Sequence, residues 1–249
     1  MALGVYKPRN PRNTRLWRIL HRYFNAFQDA YEKRYGYIRR IVVKRVHAYL
    51  KCGILDFGFA RVRCPKCRHE YLVAFSCKAR GICPSCQAKR QAEFSAFISR
   101  DVLHQVPHRQ VVLSVPRRLR PYFLHNRRLL AKLARCGYDT VRDLLTSAFK
   151  GKSSPGAIVC IQTFGSLLDF HPHLHILVSW GLFHGNGCFH PLHAVPSADS
   201  LSRLFRHKVL RMLLKQGAID QDIVDNMLSW RHIGFGADIG AELQPGKGV

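Results

Sequence analysis

The chain has 249 residues, 47% of them hydrophobic, which is enough to bury a sizeable core in one large or two small domains. Forty Lys and Arg residues against 15 Asp and Glu give a net charge of +25. No apolar run approaches the ~18 residues of a membrane span and the N-terminus has no apolar signal region, so we expect a soluble protein of a reducing, cytoplasmic compartment.

The positive charge is unevenly distributed, because nearly all of the excess lies before Lys152. Such a field attracts polyanions and favours binding through the release of counterions from phosphates. We therefore expect a polyanion as the partner. Charge alone does not separate DNA from RNA, or either of them from an anionic membrane.

The first part of the chain, residues 1–106, is expected to form a helical, zinc-binding and basic DNA-binding domain. Apolar residues recur at helical spacing from Leu16 to Phe27 and from Arg34 to Leu50, and residues 91–106 have the same character. Between them lie residues 51–90, which are rich in Gly and Cys. We do not expect this segment to form a hydrophobic core by itself.

Residues 107–249 are expected to form a second domain. Short β-branched runs predict strands at Gln110–Val115, Ala157–Phe164 and His173–Trp180. Helices are predicted over 117–150, with a break at Gly137, and over 199–216 and 220–229, whereas the tail from Gly234 shows no clear element. The fold class predicted for the whole chain is α+β.

Two CxxC pairs, Cys64-Pro-Lys-Cys67 and Cys83-Pro-Ser-Cys86, are separated by 15 residues. This spacing is typical of a zinc site in which two knuckle turns supply four thiolates. We therefore predict a structural Zn²⁺ bound by Cys64, Cys67, Cys83 and Cys86. The rival interpretation, a redox CxxC, lacks the strand and helix context of a thioredoxin-like motif.

Other cysteines and a histidine lie near the two pairs. Cys52, His69 and Cys77 could form part of a second site or support the first, and the sequence leaves this open. The isolated Cys136, Cys160 and Cys188 are interpreted as buried thiols. Cations interleave with aromatic residues through the same region, a pattern that suits phosphate contact and base stacking. The predicted DNA-binding residues are Arg61, Arg63, Lys66, Arg68, Lys78, Arg80, Lys89 and Arg90.

A His-hydrophobe-His triplet enters the third predicted strand. Alternate side chains of a strand share a face, so His173 and His175 should point one way and Leu174 the other. Two neutral imidazoles on one rigid face can chelate a metal ion. A third ligand must come from elsewhere, and Gln162 near the end of the neighbouring strand is a candidate.

These motifs together resemble the rolling-circle HUH (His-hydrophobe-His) transposases of bacterial insertion sequences, which carry an N-terminal transposase zinc-binding domain. The resemblance implies a bacterial, nucleoid-associated protein with a small antiparallel sheet and packed helices. It also implies a divalent ion, Mg²⁺ or Mn²⁺, at His173 and His175. It rests on Cys52-Gly53, Arg63-Cys-Pro-Lys-Cys67, the segment from Phe75 to Cys86, Val112-Leu-Ser-Val-Pro116, Gln162-Thr-Phe-Gly165, His171-Pro-His-Leu-His175 and the segment from Leu228 to Phe235.

The chemistry implied by the resemblance is DNA transposition and recombination through nicking of single-stranded element ends. The ion stabilises charge on the scissile phosphate, and a tyrosine downstream of the histidines forms a phosphotyrosine bond. The last tyrosine of this chain is Tyr138, upstream of His173. We therefore expect a C-terminally truncated copy with no catalytic nucleophile, which forms no covalent adduct unless Tyr122 or Tyr138 substitutes.

Two alternatives remain. The chain could be a non-catalytic, zinc-dependent nucleic-acid-binding module or a regulator of full-length relatives, which the missing tyrosine favours. It could also be a phosphodiester enzyme that uses histidines directly as acid and base. That chemistry calls for two histidine motifs on facing strands, and no matching pattern is formed by His125, His184, His190 or His193.

Overall fold

The computed structural model describes residues 10–79, 81–147, 153–165 and 169–243. The chain divides into two compact units, Met1–Leu103 and His104–Val249, whereas the sequence pattern suggested a boundary at residues 106 and 107. Each unit is described by itself. Within the described residues, no helix combines the length and the apolar character that crossing a bilayer requires.

In its described residues, the first unit contains three α-helices and a β-hairpin, with short 3-10 and π-helical turns between or beside them. Thr14 caps the first helix, since its hydroxyl oxygen accepts a hydrogen bond from the Trp17 N–H at 3.3 Å. The chain leaves this helix at Gly36, whose φ of +80° suits glycine, and so the second helix begins later than the predicted Arg34. The elements are α1 (Arg15–Tyr35), α2 (Arg40–Lys51), β1 (Phe59–Arg63), β2 (Glu70–Ala74) and α3 (Pro84–Phe97).

The core around which these elements meet is small. Its buried members are Tyr49, Cys52 and Cys83, with Trp17 packed against them. The Trp17 indole N–H donates to the carbonyl of Leu50 at 2.9 Å, which ties α1 to the end of α2. Phe24, Ile38, Val46 and Ile54 are also buried in this unit but do not belong to that cluster, so a single hydrophobic core accounts for only part of the burial among the described residues.

The second unit contains a four-stranded antiparallel sheet with the strand order β5-β6-β3-β9, and a three-stranded sheet with the order β4-β7-β8. The predicted strands are present, with small differences at their ends. The elements are β3 (His108–Ser114), α4 (Arg120–His125), α5 (Leu129–Thr146), β4 (Ser153–Ser154), β5 (Ala157–Phe164), β6 (Phe170–Ser179), β7 (Gly181–His184), β8 (Phe189–Pro191), α6 (Ala198–Lys215), α7 (Gln221–Leu228) and β9 (Gly236–Leu243).

One face of the four-stranded sheet is buried. Leu113 of β3 and Leu174 and Ile176 of β6 are fully inaccessible and belong to the same apolar cluster as residues of α5 and α6. The predicted break at Gly137 is wrong, because α5 runs through it without interruption. A Cβ atom at Gly137 would lie 2.4 Å from Leu174 Cδ1, so this glycine permits close approach of the helix to the sheet.

The tail from Gly234 was expected to lack an element, and this is also wrong. Residues Gly236–Leu243 form β9, which pairs antiparallel with β3 along its whole length, from Ser114 opposite Gly236 to His108 opposite Leu243. Two glycines and a weak apolar alternation give this segment little strand propensity of its own. Its pairing with β3 decides the outcome, as strand preferences depend strongly on context.

Candidate functional site

Four cysteines converge at the centre of the first unit. The sulfur atoms of Cys52, Cys77, Cys83 and Cys86 all lie within 4.8 Å of one another. Three of the separations, Cys52 to Cys86, Cys77 to Cys86 and Cys83 to Cys52, are 3.7 Å. Four thiols at this spacing match the tetrahedral thiolate set that structural zinc prefers.

The elements of the first unit bring these cysteines together. Cys52 ends α2, and the Gly53 N–H donates to the Phe75 carbonyl at 2.9 Å, which closes the base of the β1–β2 hairpin. Cys77 follows the hairpin, and its N–H donates to the Cys52 sulfur at 3.3 Å. Cys83 is the N-cap of α3, where the partial positive charge of the helix end favours a thiolate.

Two thiols of this cluster, those of Cys77 and Cys83, are difficult to ionise without a cation. Burial raises the pKa of the Cys83 thiol to about 11, and burial also raises the pKa of Cys77. A divalent ion offsets this cost because thiolate sulfur is stabilised by the charge of the metal. The donor set therefore fits Zn²⁺, and Cys52, Cys77, Cys83 and Cys86 are the residues that would hold it.

The composition of this cluster corrects the predicted one. Cys83 and Cys86 are brought together as expected, but their partners are Cys52 and Cys77 instead of Cys64 and Cys67. The physical reason is the hairpin, in which Phe59 at the base pairs with Ala74 and Arg63 near the tip pairs with Glu70. Five strand residues at ~3.3 Å each separate tip from base by roughly 15 Å.

The remaining cysteines and His69 lie outside the cluster. Cys64, Cys67 and His69 belong to the tip of the hairpin. Cys136 is buried as expected, whereas the prediction is wrong for Cys160 and Cys188, which are exposed. Cys160 is opposite His175 in the strand register, so its side chain lies on the same face of the large sheet as the histidines.

The predicted DNA-binding residues fall into two groups. Lys78, Lys89 and Arg90 line one groove of about 720 Å³, together with the aromatic ring of Phe75 and the sulfur-bearing side chain of Cys86. Three cations beside an exposed aromatic ring suit a nucleic-acid strand, because cations contact phosphates and the ring can stack on a base. Arg80 belongs to the same predicted set but lies outside the described residues.

The second group lies on the hairpin. Arg61 and Arg63 on β1 are within 3.8 and 3.3 Å of the Glu70 carboxylate, in exposed ion pairs that are worth little in water. Lys66 and Arg68 occupy the turn between the strands and are also exposed. These four cations are therefore accessible to an approaching polyanion.

The histidine motif lies on the open face of the four-stranded sheet in the second unit. Along β6, Pro172, Leu174 and Ile176 are buried, while His171, His173 and His175 alternate with them on the other face. The ring centroids are 5.3 Å apart for His171 and His173, and 5.0 Å apart for His173 and His175. The predicted alternation of side chains is confirmed.

Hydrogen bonds orient two of these rings. His173 Nδ1 lies 2.8 Å from the His171 carbonyl oxygen, and since a carbonyl only accepts, Nδ1 carries the proton and Nε2 has the lone pair. His175 Nδ1 accepts a hydrogen bond from the side-chain NH2 group of Gln110 on β3 at 2.8 Å, so in this arrangement Nε2 carries the proton of the neutral ring. Metal binding through His175 Nε2 would require this proton to move to Nδ1 and the Gln110 amide to turn so that its oxygen accepts it.

Burial lowers the pKa of His175, and the neighbouring His173 lowers it further. Burial also lowers the pKa of His171, with a smaller contribution from Arg120. Both effects favour the neutral imidazole, which is the form that binds a metal ion.

The strand register places further polar groups beside the histidines. Gln162 of β5 is opposite His173 and half-buried on the same face, consistent with its predicted place as a third ligand. Asp238 of β9 lies in the same cross-strand row as His175, with Val112 between them. Asp238 was not predicted as a site residue, because β9 was not predicted.

Asp169 does not contact a histidine through a hydrogen bond. Its carboxylate accepts from the Arg120 guanidinium at 3.1 Å, and the resulting ion pair lies next to His171. Arg120 and His171 also line a cleft of about 410 Å³ whose other members include Arg117, Arg118 and Trp230. This cleft combines cations with an aromatic ring and was missed because its residues come from distant segments.

Comparison with known proteins identifies two matched regions. Residues 22–115 match the family described as transposase zinc-binding domain, and residues 156–234 match the family described as putative transposase. The first match and the four-cysteine cluster together suggest zinc. No solved structure matches the chain.

Two curated relatives are similar to parts of the chain. A transposase for insertion sequence element IS801 from Pseudomonas savastanoi pv. phaseolicola is 30% identical over 148 residues, which cover 59% of this chain and 35% of the relative. A putative transposase, y4qJ, from Sinorhizobium fredii (strain NBRC 101917 / NGR234) is 26% identical over 197 residues, covering 77% and 49%. The chain thus spans less than half the length of either relative. Both matched families and both relatives are described as transposases or as a domain of one, and these are the proteins that the chain is similar to.

Proposed function

We propose that the chain takes part in DNA transposition by binding single-stranded ends of an insertion sequence and positioning a phosphate at a divalent ion. The observation that carries this proposal is the pair of oriented imidazoles, His173 and His175, on an open sheet face beside a cleft that contains arginines. The similarity of residues 156–234 to a transposase family supports it.

The residues of the open face and of the neighbouring cleft would have different roles at the phosphate. Mg²⁺ or Mn²⁺ held by His173 and His175, with Gln162 as a further ligand, would supply Lewis-acid stabilisation of a phosphate oxygen. Arg117 and Arg118 are exposed in the neighbouring cleft and can bind the flanking phosphates. Trp230 in the same cleft offers a ring on which a base can stack.

The first unit would bind DNA without recognising a particular base sequence. Zn²⁺ held by Cys52, Cys77, Cys83 and Cys86 would fix the start of α3, which carries Lys89 and Arg90, against the hairpin. The groove lined by Lys78, Lys89 and Arg90 then has a defined shape. Binding sites for single-stranded nucleic acid generally combine a groove that follows the nucleic-acid backbone with aromatic rings on which bases stack.

A nucleophile for strand breakage is the one component that these residues do not offer. Tyr138 lies on α5, which packs on the buried face of the sheet, opposite the face of His173 and His175. Tyr122 is half-buried against the apolar core. We therefore propose that these 249 residues hold a strand and leave it intact, as a zinc-dependent binding module would. A 5′-phosphotyrosine adduct trapped on a nicked single-stranded oligonucleotide would contradict this.

Replacing both histidines should remove the ion. His173→Ala combined with His175→Ala deletes the two imidazole ligands, so we expect Mn²⁺ binding measured by calorimetry or electron paramagnetic resonance to weaken by about 10–100-fold or more. The matched control is His184→Ala with His190→Ala, a second histidine pair whose ring centroids are 4.5 Å apart on the smaller sheet. Equal Mn²⁺ affinity of the two double variants would refute the proposed ion site.

Neutralising the groove should weaken DNA binding in a salt-dependent way. Lys78→Gln, Lys89→Gln and Arg90→Gln together remove three phosphate contacts, so the slope of log affinity against log salt should fall by about 2 for single-stranded DNA. Fluorescence anisotropy with a labelled oligonucleotide at several salt concentrations measures this slope.

A control with the same change in net charge separates local contact from the general field. Lys132→Gln, Arg211→Gln and Lys215→Gln alter exposed residues of the second unit that are outside the groove. This triple variant should retain most of the wild-type slope. If the two triple variants lose equal affinity, the groove has no special role and binding depends on net charge alone.

A further inference from the structure

The tip of the β1–β2 hairpin forms a tight turn that presents two thiols. The Cys64 N–H donates to the His69 carbonyl at 2.9 Å, and the Arg68 N–H donates to the Cys64 carbonyl at 3.0 Å. Arg68 completes the turn with a φ of +59°, in the left-handed region. Cys64 is half-buried and Cys67 is exposed, so both sulfur atoms belong to the surface of the tip.

The turn at the tip places Cys64 and Cys67 three residues apart, with both the N–H and the carbonyl of Cys64 hydrogen-bonded within the turn. A CxxC pair in such a knuckle turn can direct two thiolates, the form in which cysteine binds zinc, at one metal ion.

The number of ligands at the tip is two. Within the described residues, the four-cysteine cluster is the only place where three or more His, Cys, Asp or Glu ligand atoms lie within 4.8 Å of one another. At the tip, the His69 ring lies beside Tyr71 and the Glu70 carboxylate pairs with arginines of β1, so in this arrangement neither joins Cys64 and Cys67 in such a group. The four cysteines of the cluster already form a full tetrahedral set. The two thiols of the tip therefore make half of a separate site.

We propose that Cys64 and Cys67 bind a second zinc ion, and that the same two cysteines of a second copy of this chain complete its coordination. Each thiol would lose its proton to solvent as the Zn–S bond forms. A shared ion would lie on a two-fold axis and would be bound by the same surface patch of both copies. Two-fold symmetry is the usual symmetry of a homodimer.

The charge at the tip is compatible with a shared ion. Arg63, Lys66 and Arg68 surround the two cysteines, and in the absence of metal two such tips would repel each other. A Zn²⁺ ion with four thiolates has a net charge of about −2, which offsets part of this repulsion. A knuckle in which zinc kept two water ligands would leave each tip without that compensation.

The test compares zinc content and molecular mass of the full chain under a reductant that does not bind metal. Wild type should contain about three zinc ions per two chains and should be a dimer by native mass spectrometry and light scattering. Cys64→Ser with Cys67→Ser should be a monomer with about one zinc ion per chain. The matched control, Cys160→Ser with Cys188→Ser, removes two other exposed thiols and should behave as wild type.

Several outcomes would overturn the inference. If the variant with Cys64→Ser and Cys67→Ser (the knuckle variant) has the same zinc content and mass as wild type, the tip binds no ion. A monomeric wild type with a full second zinc equivalent would contradict sharing between copies. A dimer that resists chelators but dissociates with stronger reductant would be a disulfide. Neither Cys64 nor Cys67 belongs to the four-cysteine cluster or lines the groove. DNA binding by the knuckle variant therefore tests the proposed function separately from this inference.

Discussion

The convergence of four thiols from three separate segments is the constraint on which the first unit depends. Cys52 ends α2, Cys77 follows the hairpin, and Cys83 and Cys86 begin α3. Little apolar surface is buried around them, and burial of the thiols opposes their ionisation, so neither hydrophobic packing nor the thiols alone account for a fixed arrangement. A bound cation resolves both problems, because its charge stabilises the thiolates and its coordination links the three segments.

The second unit is organised by a different principle. Its four-stranded sheet buries one face in an extended apolar cluster and leaves the other open. Because side chains alternate along a strand, the core residues Leu174 and Ile176 fix the direction of His173 and His175 between them. Packing on one face thus preorganises the polar groups on the other. The hydrogen bond that His173 donates to the His171 carbonyl and the one that His175 accepts from Gln110 set the ring orientations.

Local pattern was sufficient to predict some of these features and insufficient for others. The alternation on β6 and the strand at Ala157–Phe164 follow from periodicity, which is a property of neighbouring residues. The choice of partners for Cys83 depends on where the hairpin directs the chain, so two CxxC motifs of suitable spacing were grouped wrongly. Strand β9 has weak propensity and forms by pairing with a strand more than a hundred residues away. The groove and the cleft likewise require knowledge of long-range contacts.

The central claim is that a metal-bound cysteine cluster holds the first unit, for which we propose DNA binding, in shape. The most direct measurement is stepwise removal of zinc by a chelator while helix content and affinity for single-stranded DNA are followed in the same sample. We predict that both signals fall together as the last zinc ion per chain leaves, and that both return when Zn²⁺ is restored. Unchanged DNA affinity in metal-free protein would contradict the account.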